Sequence, residues 1–180
     1  MREREKREKA KLTEVEVERL LAAEFPQMFN PQGGFAIDEV WFRGCQVRKR
    51  FDPQSLRPGG TIAGTTMMAL ADLGSYVAIH ASIGWTPMAV TTNLSINFLK
   101  RPAQKDLLAE TRLIKLGKRL AVADIAIRSE GEDELVAHAT SIYSIPPSHP
   151  RNGEIIPLTH PIEILSKYGS VAIDRDGKCG

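Results

Sequence analysis

The sequence predicts an α+β fold in which a curved antiparallel sheet wraps around one long central helix, and three observations carry that prediction. Residues 60–84, "GTIAGTTMMALADLGSYVAIHASIG", form a run dense in Ala, Met and Leu, free of Pro, with Gly84 placed to cap it. From residue 88 to Pro146 the pattern is that of strands joined mostly by hairpins, with "MAVTTNLSINFL" the clearest alternation. The helix is apolar on nearly every side, so it needs cover all round, and a sheet curved about it supplies that economically.

In chain order, "MREREKREKAKL" (1–12) alternates in charge and predicts a solvated helix or tail that adds little to the core. Thr13 opens a first helix. Glu16, three residues on, completes a capping box, Val17, Leu20 and Leu21 give the apolar face, and Pro26 ends it. "NPQGG" (30–34) is a turn, and "FAIDEVWFRGCQVRKRFD" (35–52) reads as one or two strands with Gly44 as a bulge. Pro53, Pro58, Gly59 and Gly60 make a loop before the central helix over 64–82. In the next strand, alternation sets Val90, Thr92, Leu94, Ile96 and Phe98 on one face and Thr91, Asn93, Ser95 and Asn97 on the other. "LLAETRLIKLG" and "RLAVADIAIRS" form a hairpin around Gly117 and Lys118, and "ELVAHATSIYSI" follows the "EGED" turn (130–133). The organisation is therefore a charged tail (1–12), one domain (13–146), and a Pro-containing surface extension (147–180) with a short helix near 161–168.

Composition excludes several function classes. The 180 residues are 42% hydrophobic, enough for one ordinary core, while 6% aromatic content and a net charge of +2 give a nucleic-acid interface no support. Cys45 and Cys179 lie far apart without metal-ligand spacing, which argues against a disulfide scaffold or zinc site and fits a reducing, cytoplasmic compartment. The N-terminus lacks the apolar stretch of a secretory signal, and Asp72 interrupts the best candidate for a membrane span. The four histidines, His80, His138, His149 and His160, form no metal or triad spacing, so His80 and His138 read as structural.

Asp72 is the informative residue, because a carboxylate inside an apolar helix either finds partners or shifts its pKa. Thr65, Met68, Ala69, Ser75 and Tyr76 share its helical face, which offers it hydroxyl groups. The helix begins just after "PGGTIAGTT", where free N–H groups and the positive end of the dipole suit an oxyanion. A carboxylate two turns further along and an oxyanion site together are compatible with acyl transfer; a structural Asp bonded to Ser or Thr is the competing reading.

"GGTIAGTTMMALADLGSYVAI", "AVTTNLSINFLKRPA" and "RLIKLGKRLAVADIAI" together resemble the hotdog-fold acyl-CoA thioesterases of the phenylacetate-degradation (PaaI-like) type, over roughly residues 35–146. The resemblance implies a hotdog fold and the reaction acyl-CoA + water → carboxylic acid + coenzyme A. The family's His-Gly-Gly turn aligns with Ala63, Gly64 and Thr65, so only the glycine is retained. By the same resemblance the N–H of Gly64, with Thr65 beside it, holds the carbonyl oxygen; Asp72 is the general base or nucleophile; and Thr91 positions the water. Arg57 aligns with a family asparagine near the thioester, while Lys100, Arg101, Lys118 and Arg119 fall near the mouth that receives the phosphates of coenzyme A. The family builds its sites between the subunits of a homodimer, often doubled to a tetramer, and uses no metal or redox cofactor.

Two rival readings follow. A hydratase or dehydratase on this fold pairs a His with the acid, and Ala63 disfavours it. A non-catalytic acyl-CoA-binding protein would bind the same ligand without turnover, and thiol release from an acyl-CoA panel separates it from the enzyme. A DNA-binding regulator would need an appended helix-turn-helix, for which residues 1–34 are too short and poorly patterned.

Overall fold

The computed structural model describes residues 7–30 and 32–147. The expected extension and its helix near 161–168 lie outside the described residues, as do His149, His160 and Cys179.

Helix α1 (Glu14–Glu24) starts as its capping box dictates: Thr13 N donates to Glu16 Oε2 at 2.8 Å, and Glu16 N donates to Thr13 Oγ1 at 3.4 Å. Two strands follow, β1 (Phe35–Trp41) and β2 (Gly44–Lys49). Gly44 is not the bulge that its position suggested. It opens β2 after a turn whose Arg43 has a φ of 65°, and a Cβ on it would lie 2.2 Å from the Trp41 indole. The irregularity in this pair falls instead between Ile37 and Glu39. A two-stranded ribbon, β3 (Leu56–Arg57) with β4 (Thr61–Ile62), leads into helix α2 (Gly64–Ile83). Gly84, with a φ of 96°, stops α2 by donating its N–H to His80 O.

The remaining strands are β5 (Val90–Phe98), β6 (Leu107–Leu116), β7 (Leu120–Ser129) and β8 (Leu135–Ser144). They complete a six-stranded antiparallel sheet in the order β1-β2-β6-β7-β8-β5. Helix α2 packs mainly on β2 and β6, and its Leu70, Ala71, Val77, Ala78 and Ile79 are fully buried. A helix apolar all round is thus enclosed by the sheet, as its composition requires. The expected α+β architecture of a long helix within a curved antiparallel sheet is the one observed.

Residues 7–12 depart from the expected solvated tail. Lys11 N donates to Ala81 O at 2.7 Å, Phe42 N donates to Glu8 O at 2.8 Å, and Arg7 pairs with Glu39 while its guanidinium lies over Trp41. The segment makes no helix; it is held along β1 and the end of α2. Alternating charge does not reveal this, because the bonds that hold the segment are mostly to backbone groups.

Edge strand β5 sets up the site. Its burial is low along its whole length, and Val90 and Phe98, with the flanking Met88 and Leu99, are all more than half exposed. A long open edge carrying apolar side chains is a surface that proteins normally pair or cover.

Candidate active site

Asp72 sits half-buried on α2, facing the start of β5 and the end of β8. Thr91 Oγ1 donates to its Oδ1 at 2.7 Å, and the Tyr143 hydroxyl donates to the same Oδ1 at 2.6 Å. Among the described residues no hydrogen bond reaches Oδ2. One oxygen of the carboxylate is therefore held by two donors, and the other accepts none among the described residues.

The hydroxyls that satisfy Asp72 come from the sheet, not from its own helical face. Ser75 Oγ donates to Ala71 O at 3.0 Å and lies 2.7 Å from Ser141 Oγ, while Thr65 is exposed at the helix start. Tyr76 does share the Asp72 side, lining the same cleft, with its hydroxyl on Pro87 O at 3.3 Å.

A local irregularity aims Thr91. Leu94, Ile96 and Phe98 pair with Ser141, Ala139 and Ala137 on the inner face, so strict alternation would turn Thr92 inward and Thr91 out. The register shifts between Thr91 and Asn93, which leaves Thr92 as the extra residue and sets Thr91 opposite Tyr143. Tyr143 itself is 1% exposed, and burial, followed by the charge of Asp72, pushes its phenol well above the ordinary value. It remains a protonated donor at any working pH.

Around Asp72 lies a cleft of about 370 Å³ walled by Phe25, Met28, Leu73, Tyr76 and Val90. Phe25 and Met28 come from the segment just after α1, so the chain leaving the first helix contributes a wall to this cleft.

Gly64 lies elsewhere. Its neighbourhood is a second cleft of similar size, lined among others by Arg57, Thr61, Met67, Phe98 and Arg101. The preceding Ala63 makes no side-chain cap; Thr66 N donates to Ala63 O at 3.1 Å, while the N–H groups of Gly64 and Thr65 have no partner among the described residues, and a Cβ on Gly64 would come within 3.0 Å of the Phe98 ring. Gly64 and Asp72 are eight residues apart on one helix, about 12 Å along its axis at 1.5 Å per residue. A carbonyl held at Gly64 is out of reach of the same chain's Asp72.

The basic residues also divide. Arg57 and Arg101 line the Gly64 cleft, and so does Lys100, whose ammonium is nonetheless engaged with Glu134 at 2.7 Å and Glu132 at 3.6 Å. Lys118 and Arg119 stand in the β6–β7 turn, level with the start of β5, because Val90 and Leu120 both pair with Ser144. They are thus about 27 Å from Lys100 and Arg101 along the strand direction, at the opposite end of the sheet. The two basic pairs do not converge within one chain.

The other candidates are structural. His80 is fully buried between Tyr76 and Trp85, with ring centroids at 4.0 and 4.6 Å, and Nδ1 lies 2.6 Å from Tyr76 O. Burial holds its pKa below the usual histidine value. His138 Nε2 lies 2.8 Å from Asp124 Oδ1 on the outer side of the sheet. Cys45 is buried, and burial pushes its thiol up to about 12, so it stays unreactive. Among the described residues no group of three His, Cys, Asp or Glu is placed to hold a metal, and no helix is long and apolar enough to cross a membrane.

A long helix packed against a six-stranded antiparallel sheet is the hotdog-type fold of thioesterases. Residues 59–136 match the thioesterase superfamily. The chain is 40% identical to a candidate thioesterase of Silicibacter sp. TM1040, whose crystal structure aligns with a TM-score of 0.70 over 79% of this chain and 97% of that one. It is also 35% identical over 105 residues to a candidate esterase of Pseudomonas aeruginosa, spanning 58% of this chain and 77% of that protein. A hypothetical thioesterase protein of Streptococcus pneumoniae, solved with coenzyme A, shares the fold at 22% identity, with a TM-score of 0.57 over 64% of this chain and 88% of that one. The chain belongs to the thioesterase superfamily.

Proposed function

We propose that the protein is an acyl-CoA thioesterase of the phenylacetate-degradation type, acting as a homodimer or a dimer of dimers in the cytoplasm. The observation that carries the reading is the asymmetric carboxylate beside the cleft: Asp72 Oδ1 takes two hydroxyl donors, while Oδ2 takes none among the described residues. The coenzyme A found with the Streptococcus pneumoniae protein supports the substrate class.

The separation of about 12 Å between Gly64 and Asp72 favours a site shared between two subunits. If β5 pairs antiparallel with its own copy about a two-fold axis near its middle, the Val90–Thr91 end of one strand meets the Asn97–Phe98 end of the other. Thr91 carries Asp72 with it and Phe98 lies against Gly64, so each Asp72 is brought towards the partner subunit's Gly64. The same pairing covers the exposed edge and brings Lys118 and Arg119 towards the partner's Arg101 end. Arg57 and Arg101, exposed beside the Gly64 cleft, then suit the coenzyme A phosphates better than Lys100 does.

In this arrangement the thioester oxygen rests on the Gly64 N–H, with that of Thr65 next to it. Asp72 Oδ2 then has two balanced routes. As a base it takes a proton from water while the hydroxide adds to the carbonyl carbon, and the coenzyme A thiolate leaves with that proton. As a nucleophile it displaces the thiolate to form an acyl-aspartyl anhydride; water then cleaves the anhydride, restoring the Asp72 carboxylate, with one proton of that water going to the thiolate and the acyl group leaving as the carboxylic acid. Thr91 serves either route by holding Asp72, which is a positioning role. No step calls on a metal or redox cofactor.

Free-thiol release from acetyl-, hexanoyl-, palmitoyl- and phenylacetyl-coenzyme A tests the reading. Turnover of at least one member supports it. Binding of these thioesters without release of thiol would transfer the protein to the acyl-CoA-binding class.

A further inference from the structure

Tyr143 has no part in the family resemblance, yet its hydroxyl reaches the Asp72 carboxylate. We infer that Tyr143 is the principal positioning residue of this site: it selects which oxygen of Asp72 reacts. The inference rests on the catalytic reading of Asp72.

Three observations carry it. First, the hydroxyl donates to Asp72 Oδ1 at 2.6 Å and, in a longer and weaker branch, to the Asp72 backbone carbonyl at 3.1 Å. Side chain and backbone of Asp72 are thus registered against a single atom. Second, Tyr143 is 1% exposed and belongs to β8, which is flanked by β7 and β5. The other donor, Thr91, is exposed and belongs to the open edge strand. Tyr143 therefore holds the carboxylate from an interior position, whereas Thr91 holds it from the edge strand of the sheet. Third, Tyr143 and Thr91 are direct cross-strand partners, so their two hydroxyls reach the same oxygen, Oδ1, from neighbouring positions on the sheet.

The chemical consequence follows from geometry. A carboxylate with a free torsion presents either oxygen in many directions, and misplacing a reacting atom by about 1 Å can cost about 10²-fold in rate. A carboxylate fixed at one oxygen presents the other in one direction. Tyr143 lines the Asp72 cleft, and its hydroxyl is directed to Asp72, through which it acts.

Tyr143→Phe keeps the ring that fills the core and removes only the hydroxyl. The expected result, with the fastest of the four acyl-CoA substrates above, is a fall in kcat of about 10-fold to 100-fold with KM unchanged, the split expected for a group that orients the acid without binding substrate. Site-specific replacement of Tyr143 by 3-fluorotyrosine keeps ring and hydroxyl, so the protein folds even where Phe does not; it should hold KM and the melting temperature while changing kcat, because fluorination alters the hydroxyl as a donor. Wild-type kcat in both variants overturns the inference, and so does a kcat unchanged in the fluorinated protein when the Phe variant is unfolded. Asp72→Asn run in parallel separates the two levels. If it is inactive while the Tyr143 variants are normal, only the positioning role fails; if it too turns over at the wild-type rate, the catalytic reading fails.

Discussion

Gly64 and Asp72 lie on the same helix yet line different clefts, about 12 Å apart along its axis. A carbonyl cannot be held by one and attacked by the other within a single chain, so the account requires association. Light scattering at micromolar concentration should show a dimer or tetramer; a stable monomer with full thioesterase activity contradicts the shared site.

The N-terminal segment should matter for stability. Lys11 and Glu8 exchange backbone bonds with Ala81 and Phe42, and Arg7 covers Trp41. Each such bond contributes about 1 kcal/mol net, so deleting residues 1–11 should lower the melting temperature by roughly 5 °C. An unchanged melting curve would return the segment to the status of a solvated tail.

Gly74 tests the packing of α2 on the sheet. Alanine favours a helix over glycine by about 1 kcal/mol, yet a Cβ here would lie 2.5 Å from Thr111 Oγ1 on β6. Gly74→Ala should therefore destabilise by about 1–3 kcal/mol despite its better propensity. Adding Thr111→Ala should recover most of the loss, measured by denaturant unfolding.

His80 predicts an acid-side loss of stability. Its folded pKa lies below 6.5, chiefly through burial, so the unfolded chain takes up a proton that the folded chain resists. The contribution is fully present above pH 6.5 and is lost as pH falls from there towards the folded value. The melting temperature should drop between pH 7.5 and 5.5, and His80→Leu should flatten that drop.

What was legible in the sequence depended on how local its cause was. The capping box of Thr13 and Glu16 is a four-residue signal, and α2 announced itself by being apolar on every side, so both were readable. Asp72 stood out for the same reason, as the one charge in that run. Strand β5 was readable only as far as Asn93, because the shift that turns Thr91 inward has no glycine to mark it. The hairpin at Arg43 and Gly44 was misread as a bulge because a tight turn with an arginine at positive φ has no composition cue. Tyr143 was missed although a signal existed: it follows Ala139 and Ser141 on the inner parity of β8, and a buried tyrosine hydroxyl there needs a partner. The separation of the two basic pairs was not readable at all, since it depends on the β7–β8–β5 order and not on chain distance.

The central claim is that the free oxygen of Asp72 carries out the reaction, and its most direct test is thiol release by Asp72→Asn on the fastest of the four acyl-CoA substrates. Asparagine keeps the shape and can still accept from Thr91 and Tyr143 at its carbonyl oxygen, but it offers neither a base nor a nucleophile. The account predicts a fall in kcat of about 10²-fold or more, with the fold, the oligomer and substrate binding retained. Hydrolysis at the wild-type rate would contradict it.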